Sequence, residues 1–224
     1  MPTTKTKSIS SARKLTTVAI MSAISFVLMY MDFPVPFMPG FIKFDVSELP
    51  ALLTAFSLGP WYGVLVCLIK NLLHLPITTS ACVGELSNFI LGCFFVIPAG
   101  YIYRYDMTKK GALKASLTGA ATMGILSWVA NYYFVYPAFV KLFHMPEEAI
   151  LGAYQAILPG TSSLGQAILI FNVPFTFAKG MVDVAITFLI YKRISSIIYG
   201  SATMAKKERD SKKEVKRLKK AKQK

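Results

Sequence analysis

Of the 224 residues, 54% are apolar and only 16% charged, and the mean hydropathy is +0.50. Soluble chains carry about 25% charged residues, so a soluble globular domain is excluded and a membrane protein is indicated. The net charge of +14 is uneven: 13 of the 25 basic residues lie between Lys192 and Lys224 beside three acids, and the remaining 12 bases face 8 acids, a net of +4. A basic core that grips nucleic acid is thereby excluded. Cys67, Cys82 and Cys93 are odd in number and scattered, which gives neither a disulfide framework nor a zinc knuckle.

In chain order, residues 1–13 read as a cytoplasmic N-terminal segment, residues 14–198 as a membrane domain and residues 199–224 as a basic cytoplasmic tail. The first predicted helix, Leu15 to Met31, follows Lys5, Lys7, Arg13 and Lys14 as a secretory signal would. No small-x-small cleavage site follows it, so it is expected to be retained.

The connection Asp32 to Ser47 is not an ordinary hydrophilic loop. Pro34, Pro36 and Pro39 stiffen it, and Phe33, Phe37, Phe41 and Phe44 give it an apolar surface that is expected to fold inward as a lid. In an extended run Phe41, Lys43 and Asp45 share one face. Glu48 then opens the second helix, where a carboxylate suits the helix dipole as well as it suits a ligand.

Two short helices, Leu49 to Leu58 and Trp61 to Ile69, are split by Gly59-Pro60 and fit abbreviated spans inside a bundle. The next connection, Leu75 to Val83, runs into Gly84, whose backbone admits close approach, and carries the Thr79 and Ser80 hydroxyls, which fit a helix cap equally well. Further helices are expected over Leu86 to Tyr103, Ala115 to Val140 and Leu164 to Tyr191. The expected fold is therefore all-α, a six-transmembrane-helix bundle with short helices 2 and 3 and an outward lid between helices 1 and 2. Basic residues number four before helix 1, four between helices 4 and 5 and 13 after helix 6, against Lys43 and Lys141 on the other side. This asymmetry places both termini in the cytoplasm of a cell-membrane protein.

Ionisable and amide side chains within spans are costly, so each is a candidate site. Asn172, Lys179 and Asp183 are spaced by seven and four, one face of helix 6. At about 1.5 Å per residue, Asn172 and Lys179 stand about 30 and 20 Å above the cytoplasmic boundary, and Asn131 about 25 Å. The three converge in the outer half, near a kink expected at Pro174. For Asp183 the simpler reading is an i, i+4 ion pair with Lys179. Trp128, Tyr132 and Tyr133 flank Asn131; Tyr133 and Tyr136 read as aromatic belt residues.

Catalytic and metal chemistry find little support. There is no G-x-x-x-x-G-K-S/T run, His74 and His144 are far apart, and Gly160-Thr-Ser-Ser-Leu-Gly165 departs from G-x-S-x-G at Leu164. No catalytic residue, metal ligand or resident cofactor is expected. An intramembrane enzyme using Lys179 or Glu85 as acid or base is the alternative of a different class, without a second group at a defined spacing.

The runs Phe37-Met-Pro-Gly-Phe-Ile-Lys-Phe-Asp-Val-Ser-Glu-Leu-Pro-Ala-Leu, Leu58-Gly-Pro-Trp-Tyr-Gly, Ile69-Lys-Asn-Leu-Leu-His, Val83-Gly-Glu-Leu-Ser-Asn-Phe and Asn172-Val-Pro-Phe-Thr-Phe-Ala-Lys-Gly resemble the riboflavin-specific substrate-binding component of energy-coupling factor vitamin transporters. The likeness covers about residues 10 to 200. It implies a six-helix bundle that binds vitamin at the outer face and works with one transmembrane coupling protein and two cytosolic ATPases. It also implies a helix 1 contact through the small residues Ala19 and Ala23, four apart. A planar isoalloxazine suits aromatic walls, amides that donate and accept, and the Lys179 ammonium. The expected ligand set is Asn131, Asn172, Lys179, Phe41, Lys43, Asp45, Glu48, Thr79, Val83, Gly84 and Trp128. A component for another vitamin is the remaining alternative; a cationic vitamin would favour more buried acids.

Overall fold

The computed structural model describes residues 11–142 and 144–190. The chain divides into two units, Met1–Ile186 and Thr187–Lys224, and the site lies in the first. The basic tail at 199–224, most of the N-terminal segment 1–13 and the expected end of the last helix at Tyr191 fall outside the described residues.

The first unit is helical. Helix α1 (Ser11–Tyr30) buries Val18, Ser22, Ser25 and Met29, a seam at the helical period, and leaves Ala19 and Ala23 exposed on a neighbouring face. A two-residue hairpin follows, β1 (Phe33–Pro34) against β2 (Lys43–Phe44), antiparallel with Phe33 opposite Phe44. Helix α2 (Glu48–Leu58) turns at Gly59, whose φ of +116° suits glycine, into α3 (Pro60–His74) with Pro60 in its first turn. The Gly-Pro signal therefore marks a real boundary.

Helix α3 is longer than its sequence suggests. The expected end at Ile69 falls just before Lys70, but that charge is buried against Glu48, and Asn71 donates to the carbonyl of Cys67 at 2.7 Å. With both polar groups satisfied the helix runs on, and with the following turn Leu75–Ile77 it spans 18 residues, enough to cross a bilayer. Of the two helices expected to be short, α2 remains so, at 11 residues.

Helix α4 (Val83–Tyr105) packs closely against α5 (Lys109–Ala130), since a Cβ on Gly119 would lie 2.6 Å from the carbonyl oxygen of Phe95. The chain then passes through a π-turn, Asn131–Val135, into α6 (Tyr136–Leu142). Helix α7 (Glu147–Gln155) lies in what was expected to be a plain connection, Lys141 to Ser163. Its signal was present as Pro146-Glu147-Glu148, an extended residue followed by acids in the first turn. Helix α8 (Leu164–Ile190) contains a second π-turn, Ile168–Asn172.

The two π-turns share a sequence pattern. Each is followed by one ordinary residue and then a proline, Tyr136-Pro137 in the first and Val173-Pro174 in the second. A proline has no N–H to give the preceding turn, which favours a wider backbone bond just before it. Tyr136 N and Val173 N bond the carbonyls five residues back, those of Asn131 and Ile168. Asn131 opens one turn and Asn172 closes the other.

Candidate functional site

Asn131 and Asn172 are each 5% exposed and line one cavity of about 160 Å³, together with Lys179 of α8 and Phe41, Lys43, Asp45 and Glu48 from the first connection and the start of α2. The two asparagines thus face one chamber, as the depth arithmetic required.

The floor carries a charge network. Glu48 bridges two lysines, reaching Lys70 at 2.9 Å through Oε1 and Lys179 at 3.0 Å through Oε2. The Lys179 ammonium also donates to Asp45 at 3.0 Å, and Lys70 donates to the Ser47 hydroxyl. Asp45 further accepts from the backbone of Ser47 at 2.8 Å and from Asn88 at 3.4 Å. Burial alone would raise the Asp45 pKa; the ammonium groups of Lys179 and Lys70 and the bonds from Ser47 outweigh it and lower it from 3.8 to about 2. The sequence reading paired Lys179 with Asp183. The close contacts of the ammonium are Asp45 and Glu48, which the first connection and α2 carry to it, while Asp183 acts on it electrostatically from one turn on. Lys70 was missed, although its position in an apolar helix was the signal.

The shared face of Phe41, Lys43 and Asp45 is realised over the cavity. Phe41 packs against Tyr136, Phe139 and Tyr154, and Lys43 pairs with Asp32 at 3.0 Å across the hairpin. Glu48 stands in the first turn of α2, as the dipole account expects, and is also ion-paired, 1% exposed between two lysines.

On the other side of the mouth, Glu85 of α4 meets His74 Nδ1 at 2.7 Å and accepts from Thr78 at 2.9 Å. Thr79 and Gly84 line the cavity beside it. The capping role belongs to Ser80, whose hydroxyl accepts from Gly84 N at 2.8 Å and occupies the space a side chain there would need. The close approach expected of a ligand at Gly84 is thus made by Ser80.

Two expected ligand residues stand apart. Val83 is fully buried in an apolar cluster with Val135, Phe139 and Ile168, and Trp128 packs against that cluster. Trp128 lines a separate cleft with Tyr132 and Tyr133, and its ring N–H donates to the Gly165 carbonyl at 3.0 Å. Among the described residues neither lines the main cavity; both support its wall.

Tyr136 is not a belt residue. It is 2% exposed, and its hydroxyl contacts that of Tyr154 and accepts from Asn172 Nδ2 at 2.8 Å. Tyr154 donates to Asn172 Oδ1 at 2.6 Å. Tyr133, 60% exposed, fits the belt reading. Asn131 donates to the Ser127 carbonyl at 2.7 Å, one turn back in its helix. The site therefore offers amide, ammonium, carboxylate and aromatic groups around one cavity.

Comparison with known proteins agrees with this geometry. The family model for the substrate-specific component of ECF transporters matches residues 13–191. Riboflavin transporter FmnP of Bacillus subtilis (strain 168) is 32% identical over 185 residues, covering 81% of this chain and 92% of that protein. Riboflavin transporter RibU of Staphylococcus aureus (strain TCH60) is 30% identical over 186 residues, covering 83% and 92%. A solved S component of a bacterial ECF transporter has a TM-score of 0.67 and 28% identity, covering 84% of this chain and 99% of that one. A family match across the membrane helices, joined to a fold shared with a solved member, makes this chain a substrate-specific component of the ECF transporter family.

Proposed function

We propose that this chain captures riboflavin at the outer face of the cell membrane and presents it to one transmembrane coupling protein and two cytosolic ATPases. In this reading residues 14–198 form six spanning helices, α2 the short one and α5 continuing through α6, with 1–13 and 199–224 in the cytoplasm. The first connection is the lid. The ligand set is Asn131, Asn172, Lys179, Phe41, Lys43, Asp45, Glu48, Thr79 and Gly84, backed by Val83 and Trp128, with no catalytic group, metal or resident cofactor. Ala19 and Ala23 are the proposed contact with the coupling protein.

The observation that carries this reading is the convergence of Asn131, Asn172 and Lys179 on one cavity beneath Phe41. A flat heteroaromatic vitamin needs apolar walls and a few directed polar groups, and this chamber supplies both. Two relatives are named riboflavin transporters. The cavity of about 160 Å³ is smaller than common ligand pockets, which begin at roughly 300 Å³, so entry of a flavin requires the lid to move.

The test is a vitamin panel against the purified protein, read as thermal shift. Riboflavin is expected to raise the melting temperature and to copurify as a yellow, fluorescent ligand. Stabilisation by a different vitamin, with none by riboflavin, overturns the assignment.

A further inference from the structure

We propose that Tyr154 and Tyr136 are positioning residues for the ligand, holding the Asn172 carboxamide by its two-point edge so that Asn172 offers a ligand one fixed hydrogen bond. The proposal rests on the riboflavin reading above and goes past it, because Tyr154 belongs to α7, outside the expected site.

Each tyrosine hydroxyl has one proton. Tyr154 gives its proton to Asn172 Oδ1 at 2.6 Å, so the Tyr136 proton goes to Tyr154, and the Tyr136 oxygen takes an N–H from Asn172 at 2.8 Å. The three groups close a ring of donors that runs in one direction. Turning the amide over and reversing all three protons gives the same ring, so the plane and place of the carboxamide are set whichever sense it takes.

The two hydroxyls touch, and groups in contact cannot stand at opposite ends of a carboxamide. Both therefore occupy the edge on which the syn N–H and one oxygen lone pair point the same way. That edge is filled. What remains on Asn172 is one N–H and one lone pair, which diverge and cannot both meet the same flat edge of a ligand. Asn131 differs: one of its N–H groups goes to the Ser127 carbonyl at 2.7 Å, so its carboxamide is not held in this ring. A single directed bond to the ligand thus falls to Asn172.

The ring is built in rather than incidental. Tyr154 is fully buried and Tyr136 2% exposed, in the apolar cluster that surrounds the π-turns. Phe41 of the lid packs edge-on against both tyrosines, with ring centroids 6.4 and 6.1 Å apart, so the lid rests on the groups that hold the amide.

A double-mutant cycle tests this, with riboflavin titrated by fluorescence into the wild type, Tyr154→Phe, Asn172→Ala and the double variant. Phenylalanine keeps the ring that packs on Phe41 and Phe171 and removes only the hydroxyl. Tyr154→Phe is expected to weaken binding about tenfold, and to add less than about twofold once Asn172 is alanine. Equal losses in both backgrounds, or no loss from Tyr154→Phe alone, overturn the proposal. Should Tyr154→Phe fail to fold, Tyr136→Phe breaks the same ring at its other hydroxyl and is expected to show the same coupling. A wild type that ignores riboflavin defeats the functional reading itself, a separate outcome.

Discussion

Lys179 and Asp45 stand 134 residues apart in the chain and 3.0 Å apart in space, and that contact fastens the first connection to α8. Asp45→Asn leaves a neutral group facing the ammonium and is expected to cost about 1–3 kcal/mol of stability at neutral pH, Glu48 retaining part of the pairing. The pH dependence has a definite sign. A carboxyl lowered from 3.8 to about 2 contributes stability that is complete above pH 3.8 and is lost as pH falls through about 2. The difference in melting temperature between wild type and Asp45→Asn should stay constant from pH 8 to 5 and shrink below pH 4. A difference that vanishes already at pH 6 contradicts the assignment.

Lys70 is fully buried between Glu48 and Ser47. Lys70→Met removes one partner of a buried pair and is expected to cost about 3–5 kcal/mol, read as a large fall in melting temperature. Adding Glu48→Gln should cost much less than the two single losses together, since the stranded charge is then gone. Additive losses show that the pair is not coupled.

Close packing of α4 and α5 makes a contrast between two glycines. Gly119→Ala forces a Cβ to within 2.6 Å of the Phe95 carbonyl oxygen and is expected to destabilise by about 1–3 kcal/mol. Gly152→Ala, on α7 with nothing within 4 Å, should be neutral or stabilise by about 0.5 kcal/mol. Thermal melts of the two variants decide the matter.

The exposed small residues of α1 lead to a prediction about assembly. Ala19→Leu or Ala23→Leu should leave riboflavin affinity unchanged and reduce copurification with the coupling protein. Retained assembly removes α1 from that contact.

Much of the frame was legible because polar residues in apolar helices are few and regularly spaced. Asn131, Asn172 and Lys179 could be placed at one level by rise per residue alone, and Gly59-Pro60 marked the α2–α3 boundary. What sequence spacing could not reach were contacts between distant segments. Lys70 read as a helix end because its partner Glu48 is 22 residues away in the chain. Spacing along the helix pointed Lys179 to Asp183 but not to its two close partners, because Asp45 and Glu48 arrive from the first connection and the start of α2. Tyr136 looked like a belt aromatic, since only the folding of α7 brings Tyr154 to its hydroxyl. The doubled pattern of π-turn and proline was written in the chain but has meaning only beside the two asparagines.

The most direct measurement is riboflavin affinity in Asn131→Ala and Asn172→Ala, titrated by flavin fluorescence quenching into folded protein. Each is expected to lose about 1–3 kcal/mol, roughly five- to 150-fold, because the guest forfeits a partner in a desolvated chamber. Undiminished affinity in both variants would place the vitamin elsewhere and contradict the account.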